Sequence, residues 1–418
     1  MHITVVGIGS RGDVQPYLGL AQGLRAAGHR VRIAAQAEYR EQVEGSGLEF
    51  APIHYDPALL LGSEEGVSWL ESGRNPLAFF RTMVSAVRPL ALRVAEDVLA
   101  ASSGTDALVA STLAVSAYHV AEAQGIPYIG AFLQPMHTTR AFPAVVVPRD
   151  DLGPWANHAS GRVAGVALEL PFRSQMNTWR QERLGLPPVR DLDFLARLAR
   201  QRVPVLYGFS PTLVPRPADW PSWARLCGFW TLPGDAGWEP DAKLAAFLDD
   251  GPPPVYVGFG SMRPRNPART SAIIVDALRR AGRRGVLAAG WAGLEATGDD
   301  VVVVGEVPHQ WLFPRCAAVV HHGGAGTTGT AVSAGVPSFA VPFFADQFFW
   351  GARTARLGVG PDPIPVRRLE SGRLAAAIRV AAGDPGMRDR AAAAGARLAR
   401  EDGVGTAAGA ITALVGPA

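Results

Sequence analysis

The sequence predicts an α/β protein made of two βα-alternating halves, on three observations. Short apolar runs alternate with helical periodicity over residues 1–210, and a second such series starts near Val255. Between them, 211–254 is Pro-rich and aperiodic until about residue 241, as a stiff linker would be. A length of 418 residues is itself too long for one typical domain. The expected boundaries are 1–210 for the first domain, 211–240 for the linker, 241–395 for the second domain and 396–418 for a closing helix.

In chain order, 3–6 is a buried-strand run, followed by the turn GIGSRG with Gly7, Gly9 and Gly12. Helical periodicity over 14–27 ends at Gly28, and 31–34 is the next strand. The turn matches G-x-G-x-x-G, which alone would suggest a dinucleotide site. Two details argue otherwise. The second strand runs into Ala34-Ala35-Gln36 with no acid for an adenosine ribose, and Asp13 stands where a pyrophosphate would meet the helix. The helix dipole favours the ionised form of a carboxylate there, and an ordinary capping acid accounts for Asp13 equally well.

Strands at 49–53, 106–110, 127–132 and 203–208, with helices at 76–100, 112–123, 167–184 and 191–202, complete the first half. Residues 133–155 are long and irregular, and follow a strand, where open α/β sheets bind ligands. The second half reads strand 255–258, helix 268–281, strands 285–289 and 301–304, and closing helices at 367–382, 387–400 and 406–414.

The most informative stretch lies between Arg315 and Asp346, which holds no formally charged side chain but has the pair His321-His322. Its glycines and prolines exclude a single membrane-crossing helix. It reads as strand 317–320, glycine turn 321–326, a helix opening near Thr327, strand 338–341, and a loop to Asp346-Gln347. A strand, a glycine turn and a helix N-terminus make an anion site, because backbone N–H groups and the dipole point at the ligand. The Lys-Ser/Thr ending of a Walker loop is missing. A neutral, His-bearing cradle followed about twenty residues later by an acid–amide pair suggests a sugar nucleotide. Its diphosphate would lie in the cradle and its sugar hydroxyls on Asp346 and Gln347. A glycine turn that only tightens packing is the alternative.

Hydrophobic content of 48% and charged content of 18% allow a large core and argue against disorder. The net charge is +3, and the cations, all Arg except Lys243, are spread through the chain, so no nucleic-acid partner is expected. Cys227 and Cys316 are far apart and read as buried thiols of a cytoplasmic protein, and no secretion signal precedes the first strand.

With these pieces in place, the chain resembles the GT-B UDP-glycosyltransferase superfamily, in its branch of sterol glucosyltransferases and bacterial natural-product glycosyltransferases. The stretches that carry the resemblance are GSRGDVQPYLGLAQGLRAAGHRV (9–31), HVAEAQGIPYIGAF (119–132), RAFP (140–143), GFGSM (258–262), GEVPHQWLFPRCAAVVHHGGAGTT (305–328) and ADQFFWG (345–351). They fall in both halves, in family order. The resemblance implies two Rossmann-like domains facing across a cleft, with no cofactor beyond a nucleotide-sugar co-substrate and no metal.

By that resemblance His322, Gly324, Gly326 and Thr327 contact the donor diphosphate, with Ser261 facing it from the GFGS turn. Asp346 and Gln347 hold the sugar, and Asp13 is the general base. Two positions depart from the pattern. Plant-type relatives stack the base on a Trp where this chain has Glu306, and their ribose-gripping Glu is replaced by Thr330. Trp291, Val307 and His309 are then the candidates for base and ribose. Trp69, Phe79, Met136, His137 and Phe142 are candidates for an apolar acceptor cleft, or for packing within the first half. His137 is a second acid–base group or a surface loop residue.

The triplet Asp191-Leu192-Asp193 is a literal DxD and reads as a solvated face or helix cap. The implied function is inverting, metal-independent transfer of a hexose from UDP-glucose to a hydroxyl of a hydrophobic acceptor such as a polyketide, macrolide or sterol. A hydroxyl-rich sugar suits an acid–amide pair, hence glucose. The alternatives are an epimerase-type enzyme or a non-catalytic nucleotide-sugar-binding accessory protein. No integral membrane segment is expected, and a weak peripheral contact with a membrane surface is an option.

Overall fold

The computed structural model describes residues 1–54, 76–232, 237–290, 292–296 and 298–416; the side chains of 76–83 and 86 lie outside that description. Two parallel sheets organise it. The first contains β1 (His2–Val6), β2 (Arg30–Ala35), β3 (Glu49–Pro52), β4 (Ala107–Ala110), β5 (Tyr128–Phe132), β6 (Val205–Tyr207) and β7 (Ala224–Leu226), in the order β3-β2-β1-β4-β5-β6-β7. The second contains β8 (Val255–Gly258), β9 (Gly285–Ala288), β10 (Val301–Val304), β11 (Ala318–His321) and β12 (Ser338–Ala340), ordered β10-β9-β8-β11-β12. Every residue of β1, β4, β5, β6, β8 and β11 is buried. Strands covered on both faces carry continuous apolar runs, which is why they were legible as such.

Strand order fixes where ligands can go. In each sheet the order reverses once, between β1 and β4 and between β8 and β11. Open α/β sheets bind at these switch points, beyond the carboxyl ends of the strands. The loop leaving β1 carries Gly7 to Asp13. Those leaving β8 and β11 carry Ser261 and His321 to Gly324.

The linker expectation needs correction. Ala224–Leu226 lies inside 211–240, yet it is the seventh strand of the first sheet, in register with β6 from Val205↔Ala224 to Tyr207↔Leu226. Three residues among prolines are too few to show a period. The expected helix at 167–184 is two, Pro154–Glu169 and Arg173–Leu184, separated around Pro171. The first of these begins inside the stretch read as an irregular loop. The last two helices lie where the closing helices 387–400 and 406–414 were expected, and they have different partners. Pro385–Leu398 belongs with the second lobe, where Ala391 and Ala394 cluster with Val332. Gly403–Val415 crosses back to the first, where Ala407, Ala408 and Ile411 cluster with Leu18 and Leu24, and His29 Nε2 lies 2.8 Å from Thr412 Oγ1.

A seam of aromatic rings joins the lobes. Phe142 meets Phe349 at 5.3 Å between centroids, Phe209 meets Trp350 at 5.7 Å, and the Arg353 guanidinium lies over both Phe142 and Phe349. Asp150 and Arg356 form an ion pair across the same seam. Among the described residues no helix is long and apolar enough to cross a membrane.

Candidate active site

On the first lobe the site is the turn between β1 and the helix Arg11–Ala26. Asp13 is the third residue of that helix, and its Oδ2 accepts from the Ser10 N–H at 2.8 Å and the Ser10 hydroxyl at 2.9 Å. Gly9 adopts φ +138°, and a Cβ there would stand 2.5 Å from Asp13 Oδ2, so only glycine lets the turn close over the carboxylate. Asp13 is half-buried. The dipole argument favoured its ionised form, but burial outweighs both Ser10 hydrogen bonds and raises the carboxyl above its ordinary range. A carboxylate so placed is a stronger base than a solvated one.

On the second lobe β11 ends at His321, fully buried between Gly258 of β8 and Ala340 of β12. The Gly323 N–H donates to His321 Nδ1 at 3.0 Å, so the ring proton of the neutral imidazole sits on Nε2. Gly323 has φ +93°, and a Cβ there would stand 2.7 Å from the Gln347 carbonyl. His322 packs between glycines: a Cβ on Gly324 would lie 2.4 Å from its Nε2, and one on Gly260 3.2 Å from its Cε1. Burial, with His309 adding to it, lowers the His322 pKa to about 4, which leaves a neutral ring with one N–H to give. The helix Ala325–Ser333 then opens on Gly324, with no side-chain cap over its first N–H groups. This is a vacant N-terminus of the kind that binds anions. Ser261 is half-buried beside it, in the turn after β8 that Gly260 makes with φ +58°.

Asp346 stands just before the helix Gln347–Leu357 without capping it, and its Oδ2 accepts from Trp350 Nε1 at 2.9 Å. It follows Ala345, which holds φ +52°, a strained value for a residue with a side chain. Burial raises the Asp346 pKa to about 6, and the charge of Asp13 pushes the same way. Asp13 and Asp346 are therefore close enough to interact between the lobes. The backbone agrees, since a Cβ on Gly326 would lie only 4.0 Å from the Gly12 carbonyl.

Residues 3–143 match the family model described as glycosyltransferase family 28 N-terminal domain, and 287–403 match the Erythromycin biosynthesis protein CIII-like, C-terminal domain. Each lobe thus carries its own family match, the first of them to a glycosyltransferase domain. It is 37% identical to the sterol 3-beta-glucosyltransferase of Emericella nidulans over 98% of its own length and 30% of that protein's. The Neurospora crassa sterol 3-beta-glucosyltransferase is 36% identical over 98% of this chain and 27% of its own length. The chain thus spans about three tenths of the curated relatives it matches. Its fold is that of the kitacinnamycin glycotransferase (TM-score 0.72, 22% identity, 99% of this chain and 98% of that one). VinC, solved in complex with DTDP, is also similar (TM-score 0.67, 20% identity, 99% of both chains).

Several residues expected at the site lie elsewhere. Gln347 is only 5% exposed, and its amide is used inward: Oε1 accepts from the Phe343 and Phe344 N–H groups, and Nε2 donates to Met262 Sδ. It braces the loop before Asp346 instead of reaching into the cleft. The His309 ring stacks on Phe313 at 4.5 Å and its Nε2 is bonded to Tyr256 Oη at 3.0 Å, so that edge is not free for a ribose. Phe142 is 4% exposed and belongs to the interlobe seam, not to an acceptor wall. His137 is neither a surface residue nor a free acid–base group. Its Nδ1 takes the Tyr207 hydroxyl at 2.6 Å, and its ring packs on Tyr207 and Trp220.

Met136 and Val307 are partly buried against apolar clusters. Thr330 spends its hydroxyl on the Gly326 carbonyl within its own helix. Asp193 caps the helix Phe194–Arg200 through the Ala196 N–H, which bears out the cap reading of the DxD triplet. Trp69, Trp291 and the side chain of Phe79 lie outside the described residues. Sequence reasoning missed Arg11 and Glu306 as a pair. Both stood in quoted motifs, but only the fold brings residues so far apart in sequence to 2.8 Å.

Proposed function

We propose that the chain is an inverting glycosyltransferase moving glucose from UDP-glucose to a hydroxyl of a hydrophobic acceptor, a sterol or a polyketide-type aglycone. The observation that carries this reading is the confrontation of Asp13 with the open helix N-terminus beside His322. Asp13 takes the acceptor O–H proton while the oxygen attacks the anomeric carbon, and the bond from that carbon to the diphosphate breaks on the opposite face. The departing diphosphate collects negative charge, which the His322 N–H and the N–H groups of 325–327 meet with fixed dipoles. That donor set asks for no metal ion. In-line displacement inverts the anomeric centre, and the facing lobes supply the alignment. Asp346 is the carboxylate placed for sugar hydroxyls, with Gln347 holding its loop.

The sterol option is supported by identity to the fungal sterol 3-beta-glucosyltransferases, and the aglycone option by the fold shared with natural-product enzymes. The test is to offer UDP-glucose, TDP-glucose and a deoxysugar nucleotide with sterol and polyketide acceptors, with and without EDTA. Product mass and anomeric configuration are read. A β-glucoside from UDP-glucose, unaffected by EDTA, is expected. Folded protein that turns over no donor overturns the reading, and donor conversion without any acceptor points to the epimerase alternative.

A further inference from the structure

Arg11 Nη1 and Glu306 Oε2 lie 2.8 Å apart, one from each lobe, and their side chains are 57% and 84% exposed. Arg11 opens the first-lobe helix, and the next residue, Gly12, carries the carbonyl that faces Gly326 at the cradle. The pair therefore bridges the cleft beside the second-lobe helix N-terminus. The charge of Arg11 is felt there, since it helps lower the His309 pKa, and His309 in turn bears on His322.

The chain between Arg315 and Asp346 has no charged side chain, and His322 is held neutral. A diphosphate would arrive beside two carboxylates, Asp13 and Asp346, and the charge of Asp13 already raises the cost of ionising Asp346. A guanidinium at that mouth is the natural counter-charge, and Arg pairs bidentately with phosphate.

We propose that Arg11 is a donor-binding residue for the diphosphate and that Glu306 is its built-in competitor, so donor binding breaks an ion pair that otherwise bridges the lobes. This rests on the nucleotide-sugar reading above. Glu306 withholds Arg11 only weakly, because an exposed pair is worth on the order of a two- to fivefold change in an equilibrium. A diphosphate held at the same time by the cradle outcompetes it.

The two residues must therefore act with opposite sign. UDP and uridine are titrated calorimetrically into the full chain, wild type and three variants. Arg11→Gln should weaken UDP about tenfold and leave uridine within about twofold. Glu306→Gln should tighten UDP about two- to fivefold. In the double variant the gain should vanish, since Glu306 then has nothing to withhold. The proposal is overturned if Glu306→Gln leaves UDP unchanged or weaker, if Arg11→Gln moves UDP and uridine equally, or if the double variant keeps the gain. Wild-type protein that binds neither UDP nor TDP would instead remove the nucleotide-sugar reading itself.

Discussion

The two lobes carry the same local device and use it in opposite ways. β1 runs through a glycine turn into the helix Arg11–Ala26, and β11 runs through a glycine turn into Ala325–Ser333, each at the switch point of its sheet. The first turn fills its helix N-terminus with its own carboxylate, Asp13, anchored by Ser10. The second leaves the N-terminus uncapped beside a neutral His322. Both turns match G-x-G-x-x-G, as GIGSRG at 7–12 and as GAGTTG at 324–329. Only the second leaves its helix N-terminus uncapped for an anion. A glycine pattern reports backbone geometry; the residue at the third helical position decides what that geometry binds.

The comparison is broken most directly by neutralising the filled end. Asp13→Asn keeps the shape and removes the base, so transfer should fall by ~10²–10⁴ while UDP still binds at least as tightly. Product formation under saturating donor and acceptor, alongside a UDP titration, measures both. Transfer within a few-fold of wild type would reduce Asp13 to a helix cap, and the two turns would then differ only in packing.

Damage to the open end should have a different signature. His322→Ala removes the N–H aimed at the diphosphate, and UDP affinity and turnover should fall together, each by about tenfold or more. The paired glycines make a finer probe. A Cβ on Gly326 meets nothing closer than the Gly12 carbonyl at 4.0 Å, and one on Gly12 meets nothing within 4 Å. Both Ala variants should fold, each gaining helix propensity of up to ~1 kcal/mol. Only Gly326→Ala puts a methyl group where the diphosphate must approach, so it alone should weaken UDP, by roughly fivefold to tenfold. Equal effects from the two would show that the cradle does not lie at this N-terminus.

Both turns were legible in the sequence because buried parallel strands write unbroken apolar runs and their glycines follow at once. What stayed illegible depends on partners distant in the chain. Nothing local marks the Gln347 amide as turned onto Met262, or His309 as stacked on Phe313 and bonded to Tyr256. His137 and Phe142 looked like loop residues free to line a cleft. Tyr207, Trp220 and Phe349, brought from other elements, enclose them. β7 is three residues long, too short to announce a period. The upward shift of the Asp13 carboxyl went unseen for a related reason: the dipole and cap are local and visible, whereas the desolvation that outweighs them comes from the assembled fold.

The smallest expected effect tests that last balance. Ser10→Ala removes the hydroxyl bond to Asp13 and leaves the Ser10 N–H bond in place. Because that hydroxyl lowers the Asp13 pKa, its loss raises it further, and the acid limb of the rate profile should move to higher pH. The limb belongs to Asp13 and Asp346 together, since the two interact and Asp346 titrates near 6. Acidification through the limb protonates the base, so transfer should fall as pH drops. The variant should then lose about two- to fivefold against wild type on the acid limb and little on the alkaline side of it. An equal loss at every pH would mean that Ser10 acts by shaping the turn. A limb displaced to lower pH would mean that the hydroxyl favours the protonated acid, reversing the assignment of Asp13 as a base kept strong by burial and kept ionised by Ser10.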